Sequence, residues 1–349
     1  MKIAIYAIAK DEAKHVERFM RAAADADVIV IADTGSTDDT VTLARDLGAK
    51  VYRISVVPWR FDKARDAALA LVPADVDVCI SVDMDEVMQP GWREAVEAAW
   101  VPGTTRLRYK FDFGAGIVYT CEKAHARHNY FWKYPIHEYI TPVIGFAEHM
   151  AVTDACLTAH LPDNTKSRGQ YLPMLEMAVR ENPDCQRSQF YLAREFYYYG
   201  RWQDCISAFE KYLAMPGAVW NAERTFARRC VGTAQIALGL TASGIAELER
   251  ATHEMPHSRD PWVALAQAHH NVANWPACRA AAERALSITE RTYEFTADQN
   301  SWGWRPYDLA ALACWNLGDK AKAVEYGTQA HQMSPDDARL ASNLRFYTA

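Results

Sequence analysis

Val76-Asp77-Val78-Cys79-Ile80-Ser81-Val82-Asp83-Met84-Asp85-Glu86 is the stretch that decides the fold. The run over 76–82 is strongly apolar and rich in β-branched side chains, and it ends abruptly on three acids. That length and composition predict a strand buried on both faces, as in a parallel sheet. Upstream, short apolar runs at 2–8, 28–32 and 50–54 alternate with amphipathic segments at 12–24, 37–47 and 61–71. This βαβαβ punctuation predicts a mostly parallel sheet covered by helices. Beyond Trp92 the pattern loosens into mixed strands and loops, with strand-like pieces at 105–113 and 116–121 and an aromatic, His-rich stretch at 125–139.

From about Thr165 the composition shifts to Ala, Leu, Glu and Arg with helical spacing. Four helix pairs emerge, turning at Gly200, Gly239, Asn274-Trp275 and Gly318-Asp319. Pro216, Pro256 and Pro335 stand where helices stop, and Ala208, Ala246 and Ala323 recur at mid-helix. A small residue at the turn suits tight antiparallel pairing, and a proline cannot continue the preceding helix. The pattern resembles the tetratricopeptide repeat, with an insertion over 292–304 and a capping segment over 336–347.

The chain has 349 residues, half of them apolar, enough for two domains. A net charge of -6 with dispersed Lys and Arg does not favour nucleic acid as a partner. Eight scattered cysteines without a C-x-x-C pair fit a reducing cytoplasm. The apolar start is too short for a signal peptide and no stretch approaches bilayer length, so a soluble, cytoplasmic protein without a membrane span is expected.

Chemistry-bearing motifs follow the predicted strands, where an open α/β sheet places its ligands. Asp33-Thr34-Gly35-Ser36-Thr37-Asp38 reads equally as a ligand loop or as a turn capped by Ser36 or Thr37. The pair Asp83 and Asp85 is more pointed. Alternate side chains at a strand end face the same way and repel unless a cation or donor joins them, and a hard divalent ion does so.

Together these motifs resemble glycosyltransferase family 2, with its nucleotide-diphospho-sugar (GT-A) fold, in the bacterial branch that carries C-terminal tetratricopeptide repeats and includes the glycopeptide S-glycosyltransferases. The matching stretches are Ile8-Ala9-Lys10-Asp11-Glu12, Asp33 to Asp38, Phe61-Asp62-Lys63-Ala64-Arg65, Asp83 to Glu86, and His137-Glu138. The resemblance implies a GT-A domain over 1–161 and a repeat domain over 165–349. It further implies that Ala9, Asp33, Asp62, Arg65 and Asp83 bind the donor, with Asp33 on base or ribose and Arg65 facing the diphosphate. Asp85 would ligate Mn²⁺ or Mg²⁺, with His160 or His137 completing the shell.

Lys166 and Arg168 are further candidates for the diphosphate. Inverting transfer needs a base, and Glu138 is the nominee with Asp112 behind it. Relatives often read Arg-Asn where this chain has Arg65-Asp66, so the acid either faces away from phosphate or weakens that contact. The expected donor is a nucleoside diphosphate sugar, usually of uridine, and the expected acceptor a protein or peptide. Transfer to a modified DNA base or a glycan, and a repeat scaffold with an inactive transferase domain, are the competing readings.

Overall fold

The computed structural model describes residues 1–114, 117–161, 169–291 and 296–349. The chain divides into two compact units, Met1–Ala178 and Val179–Ala349.

The first unit is α/β. In chain order its elements are β1 (Ile3–Ala9), α1 (Ala13–Ala22), β2 (Val28–Asp33), α2 (Thr40–Asp46), β3 (Lys50–Arg53), α3 (Phe61–Ala70), β4 (Val78–Ser81), β5 (Glu86–Met88) and α4 (Trp92–Ala99). There follow β6 (Arg106–Gly114), β7 (Ile117–Ala126), β8 (Tyr130–Lys133), β9 (Tyr139–Pro142), β10 (Met150–His160) and α5 (Tyr171–Glu181). Eight strands form one sheet in the order β3-β2-β1-β4-β7-β6-β10-β5, while β8 and β9 pair separately. The half from β3 to β4 is parallel throughout. In the other half β7 runs antiparallel to β4 and β6, β10 is parallel to β6, and β5 closes the edge antiparallel to β10.

Alternation along β1 builds both layers of core. Ile3, Ile5, Ala7 and Ala9 face one side, against Val16, Phe19 and Trp92 from the helices there. Ala4 and Tyr6 face the other, against Ala68, Leu69, Tyr130 and Trp132. This period-2 burial on both faces is why the N-terminal runs read as continuous apolar strands. The order reverses at β1, since β2 lies on one side of it and β4 on the other. An open sheet leaves a crevice at the carboxyl ends around such a point.

The second unit is helical. Its pairs are α6 (Gln186–Tyr198) with α7 (Trp202–Ala214), α8 (Asn221–Ala237) with α9 (Thr241–Glu254), and α10 (Arg259–Asn271) with α11 (Trp275–Leu286). The fourth pair is α12 (Arg305–Asn316) with α13 (Lys320–Met333), followed by α14 (Ala338–Thr348). These fall where the turn residues place them.

Each turn closes in the same way. The amides of Arg201, Leu240, Asn274 and Asp319 reach back to the carbonyls of Phe196, Gln235, His269 and Cys314 at 2.8–2.9 Å. The residue before each is left-handed: Gly200 at φ 65, Gly239 at 83, Ala273 at 55 and Gly318 at 82. Those are Schellman closures, which need a positive φ and so favour glycine. Only the third pair closes on a residue with a Cβ. In the second pair, α8 and α9 touch backbone to backbone, for a Cβ built on Gly232 would stand 2.8 Å from the carbonyl oxygen of Gly244.

Candidate active site

The carboxyl end of β2 is a tightly bonded turn. Asp33 is fully buried, and its carboxylate accepts the amides of Gly35 at 3.3 Å and Ser36 at 3.1 Å. The neighbouring β1–α1 connection is sewn to it: Asp11 accepts from the Thr37 amide at 2.7 Å, and the Ser36 hydroxyl accepts from the Asp11 amide at 2.9 Å. Ala9 offers its carbonyl to the Thr34 amide at 2.9 Å. Asp33 holds its own backbone through these bonds; contrary to expectation, neither Ser36 nor Thr37 caps the next helix, whose N-cap position is Asp39.

Beside it, Arg65 is the hub. It lies mid-way along α3, almost wholly buried. Its guanidinium donates to Asp83 at 2.6 Å, to Glu138 at 2.5 Å and to the Ser81 hydroxyl at 3.1 Å, and stacks over Trp132 at 4.9 Å. Burial pulls its pKa down, but Asp83 and Glu138 reverse that and leave it raised. The guanidinium expected to face a diphosphate is thus engaged by protein acceptors, because two carboxylates held close together favour a cation between them.

A second layer fixes Trp132. Its indole N–H donates to the Tyr6 hydroxyl at 2.9 Å, and Tyr6 donates in turn to His125 Nε2 at 2.9 Å. His125 Nδ1 donates to the Ala126 carbonyl at 2.8 Å, which sets this tautomer. Burial drives His125 down to about 3, so it is neutral. Asp66 faces this layer rather than the crevice, accepting the Trp132 amide at 2.7 Å. Trp132 and Tyr130 are core.

Past β4 the chain turns through Asp83-Met84-Asp85 into β5. Met84 is buried in the core, while Asp83 and Asp85 on either side of it are partly exposed. His160 closes β10 opposite Glu86, and its Nε2 lies 3.7 Å from the Asp85 carboxylate. The nearby Asp85 carboxylate raises its pKa against the effect of burial. Its Nδ1 is buried and, among the described residues, has no hydrogen-bond partner.

Lys123 on β7, which carries no motif, completes the cluster. Its ammonium lies 2.7 Å from Glu86 and 3.4 Å from Asp83. Burial presses Asp83 upward, but Arg65 and Lys123 hold it well below the usual carboxylate range. Burial, against the pull of Lys123, leaves Glu86 raised. Asp83 and Glu138 meet at Arg65, Asp83 and Glu86 meet at Lys123, and Asp85 and His160 lie alongside each other. Carboxylate and imidazole are donors that suit a divalent cation.

The remaining candidates are spread more widely. Asp62 is clamped by Arg60 at 2.9 and 3.0 Å. Asp112 accepts the Gly114 amide at 2.8 Å near the end of β6. His137, at φ 52, sets its ring edge-on to Tyr171, with centroids 5.9 Å apart. Lys166 and Arg168 lie outside the described residues. Among the described residues no group of three or more His, Cys, Asp or Glu side chains is arranged to hold a metal ion, so Asp85, His160 and His137 do not form a ligand triad. Asp85 and His160 together fit a site of the other kind, in which a cation takes one or two protein ligands and fills its shell with phosphate oxygens and water. No helix among the described residues is long and apolar enough to cross a membrane.

Comparison with known proteins gives limited bearings. No family model matches the chain. An uncharacterized glycosyltransferase of Rickettsia bellii (strain RML369-C) is 32% identical over 97 residues, 28% of this chain and 32% of that protein. The chain thus spans about a third of the length of this relative. Among solved structures, MamA is 17% identical over 48% of this chain and 89% of its own, with a TM-score of 0.39. A tetratricopeptide-repeat protein of Thermus thermophilus is 15% identical over 52% of this chain and 91% of its own, with a TM-score of 0.37. Both likenesses are slight.

Proposed function

We propose that the first unit is a GT-A nucleotide-diphospho-sugar transferase of the family 2 type, moving a sugar from a nucleoside diphosphate, most simply uridine diphosphate, to a protein or peptide with inversion. The observation that carries this reading is the 3.7 Å approach of His160, at the end of β10, to Asp85, just past β4. The partial likeness to a protein named a glycosyltransferase supports it.

In this reading Asp85 and His160 would hold Mn²⁺ or Mg²⁺, which would supply positive charge beside the two phosphates. Arg65 positions Asp83 and Glu138 and adds its field behind them. Its bond engages Oε1 of Glu138, and Oε2 is the proposed acceptor of the proton from the attacking hydroxyl or thiol. Asp33 keeps the β2 turn in shape for the nucleotide. The helical unit offers a series of first helices against which an extended acceptor can lie.

The test is hydrolysis of uridine diphosphate sugars with Mn²⁺, compared between the native chain and Asp85→Asn. Turnover in the first and not in the second supports the reading; no turnover or cation-dependent binding with any donor counts against it. An interaction scaffold with an inactive transferase unit is the second reading, favoured by the full burial of Asp33 and the engagement of Arg65 by protein groups.

A further inference from the structure

Two carboxylates of the candidate site, Asp83 and Glu86, are joined by one ammonium, and their bonding can be followed oxygen by oxygen. Asp83 Oδ1 accepts from Arg65 at 2.6 Å and Oδ2 from the Lys123 ammonium at 3.4 Å. Glu86 Oε1 accepts from the same ammonium at 2.7 Å, and Oε2 from the Asp83 amide at 3.0 Å. All four oxygens are engaged by groups of the chain itself.

The strands bring Lys123 to this place. β7 returns antiparallel beside β4, pairing Ala124 with Ile80, and so carries Lys123 to the level at which β4 gives way to Asp83. The lysine side chain is only 23% exposed, and its ammonium lies 5.8 Å from the centre of the Phe111 ring. A solvated lysine moves among many rotamers, whereas this one is held between two acids and an aromatic ring.

A divalent cation takes oxygen ligands, and its affinity rises with the number of carboxylates that reach it. Asp83 and Glu86 point at one place, and an ammonium already stands there. What is left beside them is Asp85 with His160, 3.7 Å apart. One carboxylate and one imidazole hold a hard cation weakly, so phosphate oxygens have to complete its shell.

We infer that Lys123 is a positioning residue that takes the place of a metal ion between Asp83 and Glu86 and thereby confines a divalent cation to Asp85 and His160. The cation site is then incomplete until a phosphate ligand arrives with its own oxygens. The inference rests on the transferase reading for the identity of that ligand, a nucleoside diphosphate, and for nothing else.

The test uses the full chain and Mn²⁺ alone, with free Mn²⁺ read by electron paramagnetic resonance. Lys123→Met is expected to bind Mn²⁺ more tightly than the native chain by about tenfold or more, as two carboxylates become available to it. Lys123→Arg, which keeps the charge, is expected to match the native chain, and adding Glu86→Gln to Lys123→Met removes the gain. Equal affinity in the native chain and a folded Lys123→Met chain, or a gain that survives Glu86→Gln, overturns the proposal. Should Lys123→Met prove unfolded by circular dichroism, Glu86→Gln alone decides: Mn²⁺ affinity is expected to stay as in the native chain, and a loss of about tenfold would show Glu86 to be a ligand already and overturn it. Failure of every nucleoside diphosphate to raise the Mn²⁺ affinity of the native chain counts against the transferase reading and leaves the Lys123 comparison standing.

Discussion

The guanidinium of Arg65 stands 2.6 Å from Asp83 and, on its other edge, 2.5 Å from Glu138. Residues 18 and 73 positions apart are thereby joined in one ion triad, in which Arg65 and Glu138 are largely buried and Asp83 is partly exposed. Removing the cation leaves the largely buried Glu138 carboxylate uncompensated beside Asp83, which costs more than the intact set contributes.

Arg65→Met is therefore expected to destabilise the first unit by about 3–5 kcal/mol, the cost of an uncompensated buried charge. Urea unfolding measures it. A loss below about 1 kcal/mol would show the triad to be solvated.

Asp85→Asn is expected to leave stability within about 0.5 kcal/mol, as its carboxylate is no part of the Arg65 triad, yet to weaken Mn²⁺-dependent nucleotide binding. Glu138→Gln is expected to keep nucleotide binding and slow transfer about 10²–10⁴-fold, the range of a lost general base. Unchanged transfer would remove Glu138 from that role.

His125 gives the pH dependence. Its folded pKa is depressed to about 3 by burial, against about 6.5 when unfolded. Between those values the unfolded chain binds the extra proton, so stability is full above about pH 6.5 and falls as pH drops toward 3. The full depression corresponds to several kcal/mol, on the order of 5. Thermal melting of native and His125→Gln chains from pH 7 to 4 checks this: the variant's profile is expected to be flatter over that range.

In the helical unit, Ala273→Gly is expected to stabilise by about 1 kcal/mol, because a left-handed turn carries a Cβ there alone among the four pairs. Gly232→Ala is expected to cost about 1–3 kcal/mol by forcing α8 from α9. Melting temperatures that move the opposite way would contradict the packing.

Much of the fold was legible because local physics dictated it. The apolar runs at β1, β2 and β4 are buried on both faces, and the turn glycines 200, 239 and 318 sit at left-handed closures. The approach of Asp85 to His160 was approachable through motifs that flank it. Other parts of the cluster were not. Lys123 joins it from β7 with only the alternation of Cys121, Lys123 and His125 as a signal, since the antiparallel return that delivers it is a tertiary event. The burial of Asp33 and the wrapping of Arg65 likewise depend on what packs above them: Arg53, Glu138 and Trp132 come from other segments of the chain.

The most direct test of the central claim is calorimetric titration of the purified protein with a panel of nucleoside diphosphates, in Mn²⁺ and then in chelator. The account predicts saturable binding of one nucleotide that is lost in chelator and in Asp85→Asn. Failure of every nucleotide to bind, or binding indifferent to both cation and Asp85, would contradict it.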